Sequence, residues 1–241
     1  MTCGLRRRWR ACNRCTAAVV WTAATASACV GQTTGGGGVT GGIRFLALGD
    51  SYTIGEGVAP EERWPSQLAA ALRDRGTSVA DPQVIARTGW TTAELDAAID
   101  DAAPRGPYGL VTLLIGVNDQ YRGGSAADYR LRFEGLLRRA ISFAGDDASR
   151  VVVVSIPDWG VTPFAEGRDR ARIASEIDAF NAAGREATSF AGARWVDVTP
   201  ASRQAGAAGE MLVDDGLHPS ARQYARWTGL ILPSAADVVS R

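Results

Sequence analysis

Two continuous apolar segments, residues 110–115 and 151–156, most constrain what this chain can fold into. Strands written this way are apolar on both faces, which suits a parallel sheet covered by helices on both sides. Around them the hydrophobic period alternates between strand and helix. Residues 43–48, 79–86 and 194–198 supply three further strands. Helical stripes fall on 64–75, closed by Gly76, then on Tyr129, Phe133, Leu136, Leu137, Ala140 and Ile141, and on Ile173, Ile177 and Phe180. Thr91-Thr92-Ala93-Glu94 matches a capping box, so a helix should begin near Thr92 and bury Leu95, Ala98 and Ile99. Pro219 stands where a first helical residue is expected, ahead of Tyr224, Trp227 and Ile231. Five strands separated by helices predict an α/β doubly wound sandwich, with right-handed crossovers on a central parallel five-stranded sheet. In such folds ligands bind beyond the carboxyl ends of the strands.

The first 42 residues are of another kind. A basic run from Arg6 to Arg10, a mildly apolar stretch over 17–28 and the small-x-small pattern Ala26-Ser27-Ala28 follow the order of a secretory leader, assigned to residues 1–28. That stretch is too short for a membrane span, which needs about 20 apolar residues, and none follows downstream. Cys29 resembles the acceptor of a bacterial lipoprotein, with Ala26 where leucine usually stands, which makes it a candidate lipid anchor. Residues 29–42 are Gly/Thr-rich and read as a flexible tether. The expected location is therefore secreted or in a bacterial cell envelope, with residues 43–241 as the folded domain. All four cysteines (Cys3, Cys12, Cys15, Cys29) precede that domain, which leaves it no disulfide and no thiol nucleophile. The pair Cys12 and Cys15 forms a C-x-x-C, but its irregular partners give no regular zinc spacing.

The chain is neutral overall, with 26 basic and 26 acidic residues. Five of the basic residues precede residue 43 and no acidic one does, so the domain carries 21 against 26, a net of −5. Nothing here supports a nucleic-acid partner, which calls for a basic surface. The sequence holds one histidine, His218, which excludes histidine-rich metal sites and any mechanism that uses two imidazoles. No metal and no cofactor is expected.

Polar motifs stand at the strand ends. Strand one runs into Gly49-Asp50-Ser51, strand two into Arg87-Thr88-Gly89-Trp90, strand three into Gly116-Val117-Asn118-Asp119, and Asp215-Gly216-Leu217-His218 precedes the last helix. Taken singly, each is weak and reads first as an ordinary turn or helix cap. Together they have a chemical logic. The Ser51 hydroxyl is a candidate nucleophile but needs a base to take its proton. His218 is the one imidazole available, and Asp215 can hold its other ring nitrogen. The Ser51 and Gly89 amides and the Asn118 side chain are candidate donors to a developing oxyanion. Asp50 reads as a scaffold group, Asp214 as solvated, and the tryptophans as core or cleft wall, Trp90 being the one nearest a site motif.

The four blocks, in this order along the domain, resemble the SGNH, or GDSL-type, hydrolase family. The resemblance implies a flavodoxin-like three-layer sandwich and ester hydrolysis through an acyl-enzyme. It assigns Ser51 as nucleophile, His218 as base and then acid, Asp215 as orienting carboxylate, and Gly89 and Asn118 as oxyanion donors with the Ser51 amide. Residues 156–164 also look like a loop seen in bacterial esterase-like members, a candidate pocket lining. The substrate expected is a short to medium acyl ester of a small molecule, lipid or carbohydrate, since no apolar lid insertion is visible.

Other classes fit less well. An α/β-hydrolase would carry G-x-S-x-G, but Thr53 stands two residues after Ser51. A nucleotide site would need G-x-G-x-x-G or a phosphate loop, and neither follows a strand. Two readings stay open beside the esterase: an acyltransferase using the same serine, and a non-catalytic envelope binding protein on the same fold.

Overall fold

The computed structural model describes residues 42–241; the leader, the tether before Gly42, the C-x-x-C pair and Cys29 lie outside the described residues. Five strands form one parallel sheet: β1 (Phe45–Gly49), β2 (Gln83–Ala86), β3 (Leu110–Leu114), β4 (Val151–Val154) and β5 (Arg194–Val196). They lie in the order β2-β1-β3-β4-β5, so the crossover direction reverses between β1 and β3. Leu48 pairs with Ile85 on one side and Leu113 on the other, which sets the ends of β2, β1 and β3 level with one another. Every residue of β1, β3 and β4 is buried, as strands covered on both faces must be.

Among the described residues eight α-helices surround the sheet: α1 (Ser51–Ile54), α2 (Trp64–Asp74), α3 (Thr92–Ala102), α4 (Val117–Tyr121), α5 (Ala126–Phe143), α6 (Arg170–Phe190), α7 (Thr199–Ala205) and α8 (Ala221–Val239). α5 packs with α6, and α2 with α8. Tyr129, Phe133, Leu136, Leu137 and Ala140 make up the buried face of α5, the stripe expected from sequence. α3 starts as the capping box requires: the Thr91 hydroxyl accepts from the Glu94 amide, and the Glu94 carboxylate accepts from the Thr91 amide.

Two expectations need correction. Pro219 is not in the last helix. It pairs with Leu212 in a short antiparallel bridge, and Ser220 caps α8, which begins at Ala221. The second strand is shorter than 79–86, because Pro82 has no amide to donate; Val79 makes only an isolated bridge to Ile43, and pairing resumes at Gln83. Asn118 stands in the first turn of α4, which starts directly after Gly116. Among the described residues no helix is long and apolar enough to cross a membrane.

Candidate active site

The carboxyl end of β1 carries the first candidate group. Gly49 closes the strand where a Cβ would stand 2.2 Å from the Thr53 hydroxyl and 2.5 Å from the Leu114 carbonyl oxygen, so only glycine lets β1 and β3 approach this closely. Asp50 caps α1 by accepting from the Tyr52 amide at 3.0 Å. Ser51 is thereby the first residue of α1, and its own N–H has no partner among the described residues. The Ser51 hydroxyl likewise takes part in no hydrogen bond there. Asp50 itself is 0% exposed, and its second oxygen has no partner among the described residues. Burial pushes its pKa up to about 8; the Tyr52 amide works against this and the charge of Asp119 adds to it.

His218 sits on a tight loop before α8. Asp215 accepts at one oxygen from the Leu217 and His218 amides (2.8 and 2.9 Å) and at the other from the ring Nδ1–H of His218 at 2.6 Å. That bond places the ring proton on Nδ1 and leaves Nε2 as the free nitrogen. Partial burial alone would raise the Asp215 carboxyl, but the ring and the two amides outweigh it and hold the pKa below the usual carboxylate value. Gly216 takes a left-handed conformation (φ 66°) inside the loop, and its carbonyl accepts from the Phe164 amide at 3.1 Å. The Tyr52 ring lies 5.7 Å from that of His218 and fixes its other side.

The donor side comes from β2 and β3. Gly89 has φ 87°, a left-handed backbone that glycine adopts without strain, and its N–H has no partner among the described residues. Its carbonyl accepts from Arg122 at 2.7 Å, which fixes the orientation of the adjoining peptide. The Asn118 amide spends one N–H on the Trp90 carbonyl at 2.9 Å and keeps the other. Asp119, buried beside it, accepts from the Thr92 amide and hydroxyl at 2.9 and 2.6 Å and so ties the start of α4 to the start of α3. Trp90 therefore serves through its backbone carbonyl, and its indole is not part of the cleft lining.

These groups meet. Ser51, Gly89, Asn118 and His218 line one cleft of about 160 Å³, together with Tyr52, Thr88, Val117, Tyr121, Trp159, Phe164 and Leu217. Trp159 and Phe164 come from the 156–164 loop, as expected of a pocket lining. Tyr121 and Gln120 were not visible as site residues in the sequence. Gln120 accepts from the Trp159 indole at 2.8 Å and donates to Glu176 at 2.7 Å, a bond between residues 39 apart that no local motif announces. Among the described residues no group of three or more potential ligands is placed to hold a metal ion.

A hydroxyl, an imidazole oriented by a carboxylate and three unspent donors around one apolar cleft, all beyond the carboxyl ends of a parallel sheet, form an arrangement able to carry out hydrolysis with an oxygen nucleophile. The chain belongs to the GDSL-like Lipase/Acylhydrolase family, whose model matches residues 47–226. It is a carboxylic ester hydrolase of the SGNH/GDSL type. No curated protein matches it significantly in sequence. Solved structures share the fold at low identity. TesA is 21% identical with a TM-score of 0.63, over 81% of this chain and 99% of its own. A lipase/acylhydrolase from Enterococcus faecalis is 21% identical with a TM-score of 0.60, over 81% and 96%. The psychrotrophic esterase EstA from Pseudoalteromonas sp. is 17% identical with a TM-score of 0.60, over 82% and 99%.

Proposed function

We propose that the protein hydrolyses short to medium acyl esters through an acyl-enzyme on Ser51. The supporting observation is the 2.6 Å Asp215–His218 bond at the rim of the cleft that Ser51 lines. Nε2 of His218 takes the Ser51 proton as Oγ attacks the acyl carbon. The carbonyl oxygen becomes an oxyanion held by the Ser51 and Gly89 amides and the second N–H of Asn118. The imidazolium, stabilised by Asp215, returns its proton to the leaving alcohol. Water then repeats the sequence and frees Ser51. A cleft of about 160 Å³ favours a short acyl group, because ligand pockets commonly run to roughly 300–1,000 Å³.

The test is a series of 4-nitrophenyl esters from acetate to dodecanoate, hydrolysed by wild type and Ser51→Ala. Activity should peak at the short end and vanish in the variant. Equal rates for the two proteins on every ester contradict the proposal. By the same reading the secretory leader over residues 1–28 and the anchor at Cys29 place this activity in the cell envelope; labelled-lipid incorporation that Cys29→Ser leaves unchanged would remove the anchor.

A further inference from the structure

We propose that Arg168 is a substrate-recognition residue and that the site takes esters carrying an anionic group; this rests on the ester hydrolysis proposed above. One wall of the cleft is an aromatic trio. The rings of Tyr121 and Trp159 lie 5.4 Å apart, those of Trp159 and Phe164 5.9 Å, and those of Tyr121 and Phe164 6.1 Å. The wall is built in advance, with Trp159 held by Gln120 and Phe164 held through its amide by Gly216. Tyr121 and Phe164 remain partly exposed.

Arg168 rests on all three rings, its guanidinium carbon 5.0, 5.3 and 5.6 Å from the centroids of Tyr121, Trp159 and Phe164. It donates to the Tyr121 hydroxyl at 3.0 Å and forms no ion pair among the described residues. Three other arginines are already spent. Arg122 is taken by Glu94 and the Gly89 carbonyl, Arg170 by the Gly160 and Thr162 carbonyls, and Arg203 by Asp158 and Asp178. Aromatic faces hold a guanidinium in place without neutralising it, and most of its planar set of donors stays open to a carboxylate or phosphate. A second cavity, reached at Asp215 beside His218, is lined by Glu56, Gly57, Val213, Asp214 and Asp215. An anionic substituent is repelled there and attracted to Arg168.

The test compares matched esters that differ in charge. 4-Acetoxybenzoate and 4-acetoxybenzamide place the charge on the alcohol side; 4-nitrophenyl hemiadipate and 4-nitrophenyl hexanoate place it on the acyl side. Each rate is corrected for that of Ser51→Ala. In wild type the anionic member of at least one pair should have the lower KM. Arg168→Gln should reduce that KM ratio about 2- to 5-fold, the scale of a solvent-exposed ion pair, with the kcat ratio preserved. Arg168→Lys should retain part of the preference, and salt should erode it in wild type. Equal KM ratios in wild type and Arg168→Gln for both pairs overturn the proposal. Hydrolysis of the neutral esters that depends on Ser51 would leave the esterase reading standing in that event.

Discussion

Replacing Asp50 by asparagine should change how the stability of the protein depends on pH. The carboxyl is fully buried, keeps one oxygen without a partner among the described residues, and is pushed from an ordinary 3.8 up to about 8. Between those values the native state holds a proton that the unfolded chain has released. Stability therefore falls as pH rises, by about 1.36 kcal/mol per unit from this group alone. The contribution is fully present below 3.8 and is lost as pH passes through about 8. Asparagine cannot ionise, yet its side-chain carbonyl can still accept from the Tyr52 amide. From pH 5 to 7.5 the stability of Asp50→Asn relative to wild type should rise by about 3 kcal/mol. In a domain of this size that corresponds to a change of roughly 6–12 °C in the Tm difference. Urea unfolding of both proteins at several pH values measures it, and every other titrating group cancels in the difference. Parallel pH profiles would refute the reasoning, because they would mean that Asp50 is ionised in the native state across this range.

Other perturbations separate the roles of the site residues. Asn118→Ala should lower kcat by about 10²- to 10³-fold with the fold intact, as expected for one oxyanion donor; a rate within twofold of wild type removes Asn118 from the site. Asp215→Asn should cost on the order of 10⁴-fold in kcat by losing the ring orientation, and kinetics at fixed pH would expose a smaller role. Gly89→Ala should destabilise the protein by about 1–2 kcal/mol, since a side chain at φ 87° is strained although no atom lies closer than 4.0 Å to the added carbon; unchanged stability by urea titration would show that the loop relaxes. Asp119→Ala removes two buried bonds to Thr92 and should cost about 2–3 kcal/mol, read by the same titration.

The parts of the fold that sequence showed are those whose signal is local and repeated. The segments 110–115 and 151–156 read as doubly covered strands because burial on both faces removes the polar alternation. The start of α3 could be read from Thr91 and Glu94 because both halves of a capping box lie within four residues. The helices α1, α4 and α7 escaped because four to seven residues are too few for a helical period to emerge. Pro219 carried a real signal, a restricted backbone next to a helix, but the residue after it supplied the cap.

The site divides in the same way. Ser51, Gly89, Asn118 and the Asp215–His218 pair stand at strand or helix ends, where position in the fold already suggests chemistry. Asp119 looked like half of a turn because its partner, Thr92, is 27 residues away. Gln120, Tyr121 and Arg168 matter through contacts with Trp159 that depend on how the loop after β4 folds over α4. Trp90 drew attention as an aromatic beside Gly89, whereas its contribution is a backbone carbonyl that any residue could provide.

The most direct test of the central claim is intact-mass analysis after incubation with an ethyl 4-nitrophenyl phosphonate, which a serine attacks but cannot readily release. One phosphonyl adduct per chain is expected, mapped by peptide fragmentation to Ser51, absent from Ser51→Ala and formed far more slowly by His218→Ala. An unmodified wild-type protein, or an adduct on any residue other than Ser51, would contradict it.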